Sequence, residues 1–302
     1  MLHLSIKLKQ LSESLGHARG CYMTSRIAAA VLLQMSAAAA FDVAVVTGAG
    51  SGIGRATAAA ICRRGVRVVG VGRRAAALAE TRTVCGDGFT AVAADVGTED
   101  GRAAVAAAAR ASTPRKTLVV HNAAAVGETA PLGALTLGGW RAAMATNVEG
   151  PLFLTQALLP GLGAGSRVLH VSSGAAHSGA EGLAPYCASK AALKSVYESL
   201  RGELGPAVLV GSAMPGVADT PMQRALVAEL PAAHAMRPYF EGLRAETAPA
   251  GGAGRPPPAA GLDAPENVAA FFAWLLFDCP ADEFVSKDWD IQDAAHHARW
   301  AS

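Results

Sequence analysis

The run Val43-Ala44-Val45-Val46-Thr47-Gly48-Ala49-Gly50-Ser51-Gly52-Ile53-Gly54 decides how this chain folds. Its apolar, β-branched opening reads as a short buried strand. A glycine-rich turn follows at once, and residues 53–64 then carry a helical pattern. Strand, tight turn and helix in that order make an anion cradle. The glycines let the backbone turn sharply and approach a diphosphate closely. The helix start adds unpaired N–H groups and the positive end of its dipole. Gly48, Ser51, Gly52, Ile53 and Gly54 are therefore the expected contacts to the diphosphate of a dinucleotide.

Outward from this turn, strand and helix alternate. Strands are predicted at 43–47, 66–71, 89–95, 118–121, 167–172 and 207–213, with a late one at 284–289. Helices are predicted at 53–64, 75–84, 98–111, 138–159 and 185–204, the fourth ending before Pro160. Val-rich strands separated by helices imply a parallel sheet covered on both faces, wound in both directions from its centre. The expectation is one α/β domain over residues 42–302 with about seven strands. Segment 221–262 breaks the alternation directly after a strand and is rich in Ala, Pro and Gly. A long insertion there suits a lid over a ligand cleft, with the Pro/Gly stretch 251–258 as a flexible loop.

Composition narrows the function. The chain has 302 residues, 26 Lys and Arg against 24 Asp and Glu, and a net charge of +2. No strong field points to nucleic acid or a membrane. Five cysteines, at 21, 62, 85, 187 and 279, are scattered without a C-x-x-C pair. That pattern argues against a disulfide framework or a metal site and for a reducing compartment, taken as the cytoplasm. Residues 1–41 hold one acid, Glu13, and a 15-residue apolar stretch at 27–41, too short to span a bilayer. They read as a disordered extension, an organellar presequence that would place the protein in an organelle matrix, or the product of a start upstream of Met35.

The cofactor's identity is read at the second strand end. A carboxylate about 20 residues beyond the glycines would bind the ribose 2′-hydroxyl of NAD. Arg73 and Arg74 stand there instead. Guanidinium groups bind a 2′-phosphate that a carboxylate would repel, so NADP(H) is expected over NAD(H). Asp95, followed by Val96, closes the third strand and can accept from an adenine amino group. His121-Asn122-Ala123-Ala124 ends the fourth. Asn122 and Ala123 leave room for the dinucleotide there, and His121 is read as a packed strand residue.

Tyr186 and Lys190 lie four apart at the start of a predicted helix, so they share one face. A cation beside a phenol favours the phenolate and lowers its pKa, which suits acid–base work on a carbonyl or alcohol. Ser173 ends the fifth strand and can hold the reacting oxygen. Ser172 competes for that role. Asn147 sits inside a predicted helix, where an amide calls for a specific partner. His177 lines the site or sits in a loop, Met222 is a candidate substrate contact, and His296-His297 read as solvent-exposed.

These motifs together resemble the short-chain dehydrogenase/reductase family. The T-G-x-x-x-G-x-G turn falls on Thr47, Gly48, Gly52 and Gly54. The adenine-side acid falls on Asp95. The N-A-A-G strand end appears as Asn122-Ala123-Ala124-Ala125, with its last glycine replaced. Asn147, Ser173, Tyr186 and Lys190 match the catalytic set. Pro215, Gly216, Val217 and Thr220 match the stretch that meets the nicotinamide end. The likeness covers about residues 42–220.

The resemblance implies a Rossmann-type fold and hydride exchange with a carbonyl or secondary alcohol of a small molecule. Tyr186 would be the acid, Ser173 the oxygen holder and Lys190 the ribose contact, with Asn147 supporting a proton-relay water. It also implies a homodimer or homotetramer paired through helices 138–159 and 185–204. Two alternatives stay open: a catalytically silent NADP(H)-binding scaffold, and an isomerase or dehydratase using the same tyrosine. Substrate identity is not encoded in any of these motifs.

Overall fold

The apolar runs form the strands β1 (Val43–Thr47), β2 (Arg67–Gly72), β3 (Phe89–Ala93), β4 (Thr117–His121), β5 (Ser166–Val171), β6 (Val208–Met214) and β7 (Asp288–Asp290). All pair in parallel, in the order β3-β2-β1-β4-β5-β6-β7. The computed structural model describes residues 41–110, 115–230, 234, 236–245, 257 and 261–301. The readings made for residues 1–40, and for most of 246–260, fall outside that range.

Every residue of β1, β4 and β5 is buried. This explains the continuous apolar runs, since a strand covered on both faces has no reason to alternate. The chain reverses its direction of winding between β1 and β4. Doubly wound sheets open their ligand crevice at such a point, beyond the carboxyl ends of the strands.

The helices are α1 (Gly52–Arg63), α2 (Ala75–Cys85), α3 (Glu99–Ala109), α4 (Leu137–Met144), α5 (Gly150–Leu158) and α6 (Ala184–Leu204). Beyond β6 come α7 (Pro221–Glu229), α8 (Arg237–Ala245), α9 (Pro265–Ala273), α10 (Ala281–Phe284) and α11 (His297–Trp300). Val45, Val69, Val119 and Val168 of the sheet pack with Val105 of α3, Leu154 of α5 and Tyr197 of α6. A second contact is made by alanines, Ala56 and Ala60 of α1 against Ala269 and Ala273 of α9. Thr98 caps α3 by accepting from the Gly101 N–H at 3.1 Å, with Glu99 and Asp100 in the first turn.

Two expectations need correction. The helix at 138–159 is not continuous. It is α4 and α5 joined by a π-helical turn, Ala145–Glu149, directly before Gly150 and Pro151. Proline has no N–H to give and crowds the preceding turn, so the ladder widens there. The late strand is only Asp288–Asp290, because Pro280, Asp282 and Glu283 start α10 and carry Phe284 into it.

His296 is a third correction, being 2% exposed. It stacks on Phe271 at 5.3 Å and on Trp274 at 5.8 Å. Trp300 Nε1 can only donate, and it reaches His296 Nδ1 at 3.0 Å. The ring proton is therefore on Nε2, which donates to the Asp290 carbonyl at 2.7 Å.

Segment 221–262 opens with a helical pair, α7 and α8. Val227, Leu230 and Phe240 form a small apolar cluster of its own, flanked by Leu226, Met236 and Leu243. Among the described residues, no helix is long and apolar enough to cross a membrane.

Candidate active site

A cleft of about 710 Å³ runs across the carboxyl ends of the strands. One end is built by the glycine turn. Ala49 N–H donates to Val71 O at 3.0 Å, Thr81 Oγ1 to Ala49 O at 2.8 Å, and Arg55 Nη2 to Gly50 O at 2.6 Å. Asn122 Nδ2 donates to Thr47 O at 2.9 Å, while Thr47 Oγ1 accepts from the N–H groups of Asn122 and Ala123. The loop is thus stitched to both neighbouring strand ends.

Gly54 packs so closely that a Cβ there would lie 2.2 Å from Gly48 O. Only glycine fits, and the close approach brings the α1 backbone to the turn. Thr98, Thr136 and Thr220 each cap their helices with a side-chain oxygen, whereas Ser51 makes no such bond at the start of α1. The first N–H groups of α1 therefore face the cleft uncapped, which suits an anion. Arg73 and Arg74 line the same end and make no ion pair among the described residues. Asp95 and Val96 also line it, and Asp95 Oδ1 accepts from Gly97 N–H at 2.9 Å. A dinucleotide diphosphate and an adenosine end bearing an extra phosphate both fit these groups.

At the other end stand Ser173, Tyr186 and Lys190, with Pro215, Gly216, Val217 and Thr220 along the rim. The Ser173 hydroxyl accepts from Ala175 N–H at 3.2 Å and lies beside the Tyr186 phenol. Ser172, the competing serine, turns away and donates to Asp288 Oδ2 at 2.9 Å. Lys190 is 4% exposed, its Nζ donating to Val171 O at 2.8 Å and lying 5.8 Å from the centre of the Tyr186 ring.

Burial pushes Lys190 down to about 8, opposed by the charge of Asp288. The expected lowering of the phenol is not what this arrangement produces. Burial raises Tyr186 above its ordinary value, and the Ser173 hydroxyl only partly offsets it. Desolvation outweighs stabilisation of the phenolate here, so the tyrosine is held as the neutral acid.

Asn147 lies behind the cleft wall, 1% exposed, on the π-helical turn. Its Oδ1 accepts from Ala125 N–H, and its Nδ2 donates to Ala125 O and to Ser189 Oγ, each at 2.8 Å. Ser189 in turn donates to Tyr186 O at 2.8 Å. The amide ties the β4 exit loop to the first turn of α6, with both amide hydrogens used. The widened turn explains how a helical residue reaches two elements at once.

His121 is buried against Thr155 Oγ1 at 2.7 Å, a packed strand residue. His177 Nε2 meets Asp288 Oδ2 at 3.3 Å. Asp288 itself, an acid that accepts from Ser172 behind the cleft, carries no sequence signal. Nor do Gln223, Leu226, Met236, Tyr239 and Phe240, which join Met222 in lining the cleft from the α7–α8 pair.

Comparison with known proteins follows the same outline. The family model for short chain dehydrogenases matches residues 42–231. The chain belongs to the short-chain dehydrogenase family. Serine 3-dehydrogenase of Agrobacterium fabrum is 35% identical over 178 residues, covering 58% of this chain and 72% of that protein. D-erythrulose reductase of Gallus gallus is 34% identical over 185 residues, covering 60% and 73%. A short chain dehydrogenase/reductase structure from Saccharomyces cerevisiae superposes with a TM-score of 0.75 at 23% identity, over 86% of this chain and 100% of that one, which speaks to fold alone. A structure of an NAD(P) dependent dehydrogenase from Beutenbergia cavernae, with NADP bound at low occupancy, gives a TM-score of 0.66 at 28% identity over 83% and 94%. This short-chain dehydrogenase/reductase is therefore an oxidoreductase acting on alcohol or carbonyl groups with a nicotinamide dinucleotide.

Proposed function

We propose that this chain is an NADP(H)-preferring carbonyl reductase, or the reverse alcohol dehydrogenase, with Tyr186 as its acid–base group. The observation that carries the reading is the arrangement at one cleft end: the half-buried Tyr186 phenol beside Ser173, with the buried Lys190 ammonium 5.8 Å from the ring centre. Bound in the cleft, the nicotinamide supplies or accepts a hydride at the reacting carbon. Tyr186, held protonated by burial, gives its proton to the carbonyl oxygen. Ser173 donates to that same oxygen and steadies its developing charge. Lys190 restores positive potential beside the phenol as the proton leaves and would meet ribose hydroxyls of the dinucleotide. Asn147 fixes the first turn of α6 on which Tyr186 rides.

The NADP(H) preference rests on Arg73 and Arg74, without an ion pair among the described residues, at the cleft end where a carboxylate would favour NAD(H). The Beutenbergia cavernae relative with NADP bound points the same way. The test is turnover at equal NADPH and NADH concentration, repeated with Arg73→Ala. Preference for NADPH that falls on substitution supports the assignment, and better turnover with NADH overturns it.

The outward faces of α5 and α6, with Phe153 41% exposed on α5, are read as a subunit contact. A solution mass of a single chain would contradict that.

A further inference from the structure

Gln223 is an anomaly. It lies on α7, 7% exposed, and lines the cleft. Both polar atoms of its amide are buried without a hydrogen-bond partner among the described residues. A buried amide left unpaired costs free energy that native structures rarely leave uncompensated. Neighbouring polar groups on α7 are all satisfied. Thr220 caps the helix, and Arg224 pairs with Asp219 at 2.5 Å. On α8, Arg237 is spent on Glu241 and on the carbonyls of Leu230 and Val227.

The helical pair that carries that amide lends the cleft mainly apolar side chains. Leu226, Met236, Tyr239 and Phe240 of the α7–α8 pair line the cleft with it, as do Val126 and Leu183 from other elements. Arg73 and Arg74 lie at the dinucleotide's adenosine end, and Lys190 is bonded to Val171 O. No described cation is left to hold a substrate carboxylate. The Asp290 carboxylate on the rim, which accepts from Gln292 N–H and pairs with no cation among the described residues, would repel one.

We infer that the substrate is an uncharged carbonyl compound with an apolar body and a second hydrogen-bonding group, and that Gln223 is the specificity-determining residue that reads this group. The inference rests on the reductase reading above. The amide offers an NH2 donor group and a carbonyl acceptor on the cleft wall, both without a partner among the described residues. An analogue lacking the second group leaves the amide unpaired in the complex, so discrimination comes from the partner it fails to satisfy.

The test is NADPH consumption by the full chain with cyclohexanone, 1,4-cyclohexanedione, 4-hydroxycyclohexanone, pyruvate and dihydroxyacetone. The expected kcat/KM is at least about tenfold higher for the two bifunctional rings than for cyclohexanone, with pyruvate the poorest. In Gln223→Met, a substitution of similar volume, the ratio between bifunctional and simple ring falls toward one. NADPH affinity, followed by fluorescence, reports that the cleft is intact in each variant.

Pyruvate or dihydroxyacetone as the best substrate would overturn the inference while leaving the reductase reading standing. So would an unchanged ratio in Gln223→Met. A variant that loses NADPH affinity but keeps the ratio would assign the amide to the cofactor and equally overturn it. No turnover of any compound, with NADPH bound, would sink the reductase reading and this inference together.

Discussion

The two ends of the cleft are built on different principles. The dinucleotide end is backbone: a turn sewn to β1, β2 and β4 by Thr47, Thr81, Arg55 and Asn122, with no space for a single added carbon at Gly54. The opposite end, the proposed substrate wall, is side chain: a helical pair whose packing is a small cluster around Val227, Leu230 and Phe240. A diphosphate is always the same shape, so its site can be fixed atom by atom. A substrate wall needs only the right surface, and many sequences supply one.

The largest effect that would sharpen this contrast is chemical. Tyr186→Phe should lower kcat by about 100- to 10,000-fold while leaving NADPH affinity intact, read by steady-state kinetics beside a binding titration. Loss of binding as well would mean the ends are not separable. Next, Arg73→Ala with Arg74→Ala should reduce the NADPH-over-NADH ratio in kcat/KM by about 10- to 100-fold. An unchanged ratio would remove the arginines from cofactor choice.

Smaller effects compare the ends directly. Gly54→Ala forces a methyl against Gly48 O and Asn122 and should destabilise by about 1–3 kcal/mol, with weakened NADPH binding. Gly242→Ala on α8 meets nothing within 4 Å and should stabilise by up to about 1 kcal/mol through helix propensity. Denaturant melts of the two variants should move in opposite directions; movement in the same direction would break the comparison.

The finest test is pH. Lys190 is charged below about 8 and neutral above it, so kcat/KM for reduction should fall as pH rises through that value. His170, held neutral by burial with its pKa about 3, adds no opposing charge. Asp288 supports the ammonium, so Asp288→Asn should move the falling limb to lower pH. A limb that stays in place would exclude Asp288 from the site's electrostatics.

The same contrast explains what could be read in the sequence. Valine runs separated by helical patterns gave the sheet, because strands buried on both faces have no polar alternation to confuse them. Gly54, Tyr186 and Lys190 were visible because each role tolerates one residue type at one spacing. The interruption at 145–149 was not, since Pro151 lies within a stretch whose apolar periodicity continues past it. His296 looked exposed because a polar pair near the end of a chain gives no hint of the aromatic box formed by Phe271, Trp274, Trp289 and Trp300. Gln223 and Asp288 carry no motif at all. Their importance lies in which partners they have or lack, and that is a property of three dimensions.

The box around His296 has a practical side. Trp300 holds the imidazole, and the imidazole holds the Asp290 carbonyl on the cleft rim. The turn that carries Trp300 is thus a clamp on one wall of the cleft, two hydrogen bonds from its rim. An affinity handle or fluorescent fusion placed immediately after that turn would pull on the clamp, and a protein trimmed back past Trp300 would lose it.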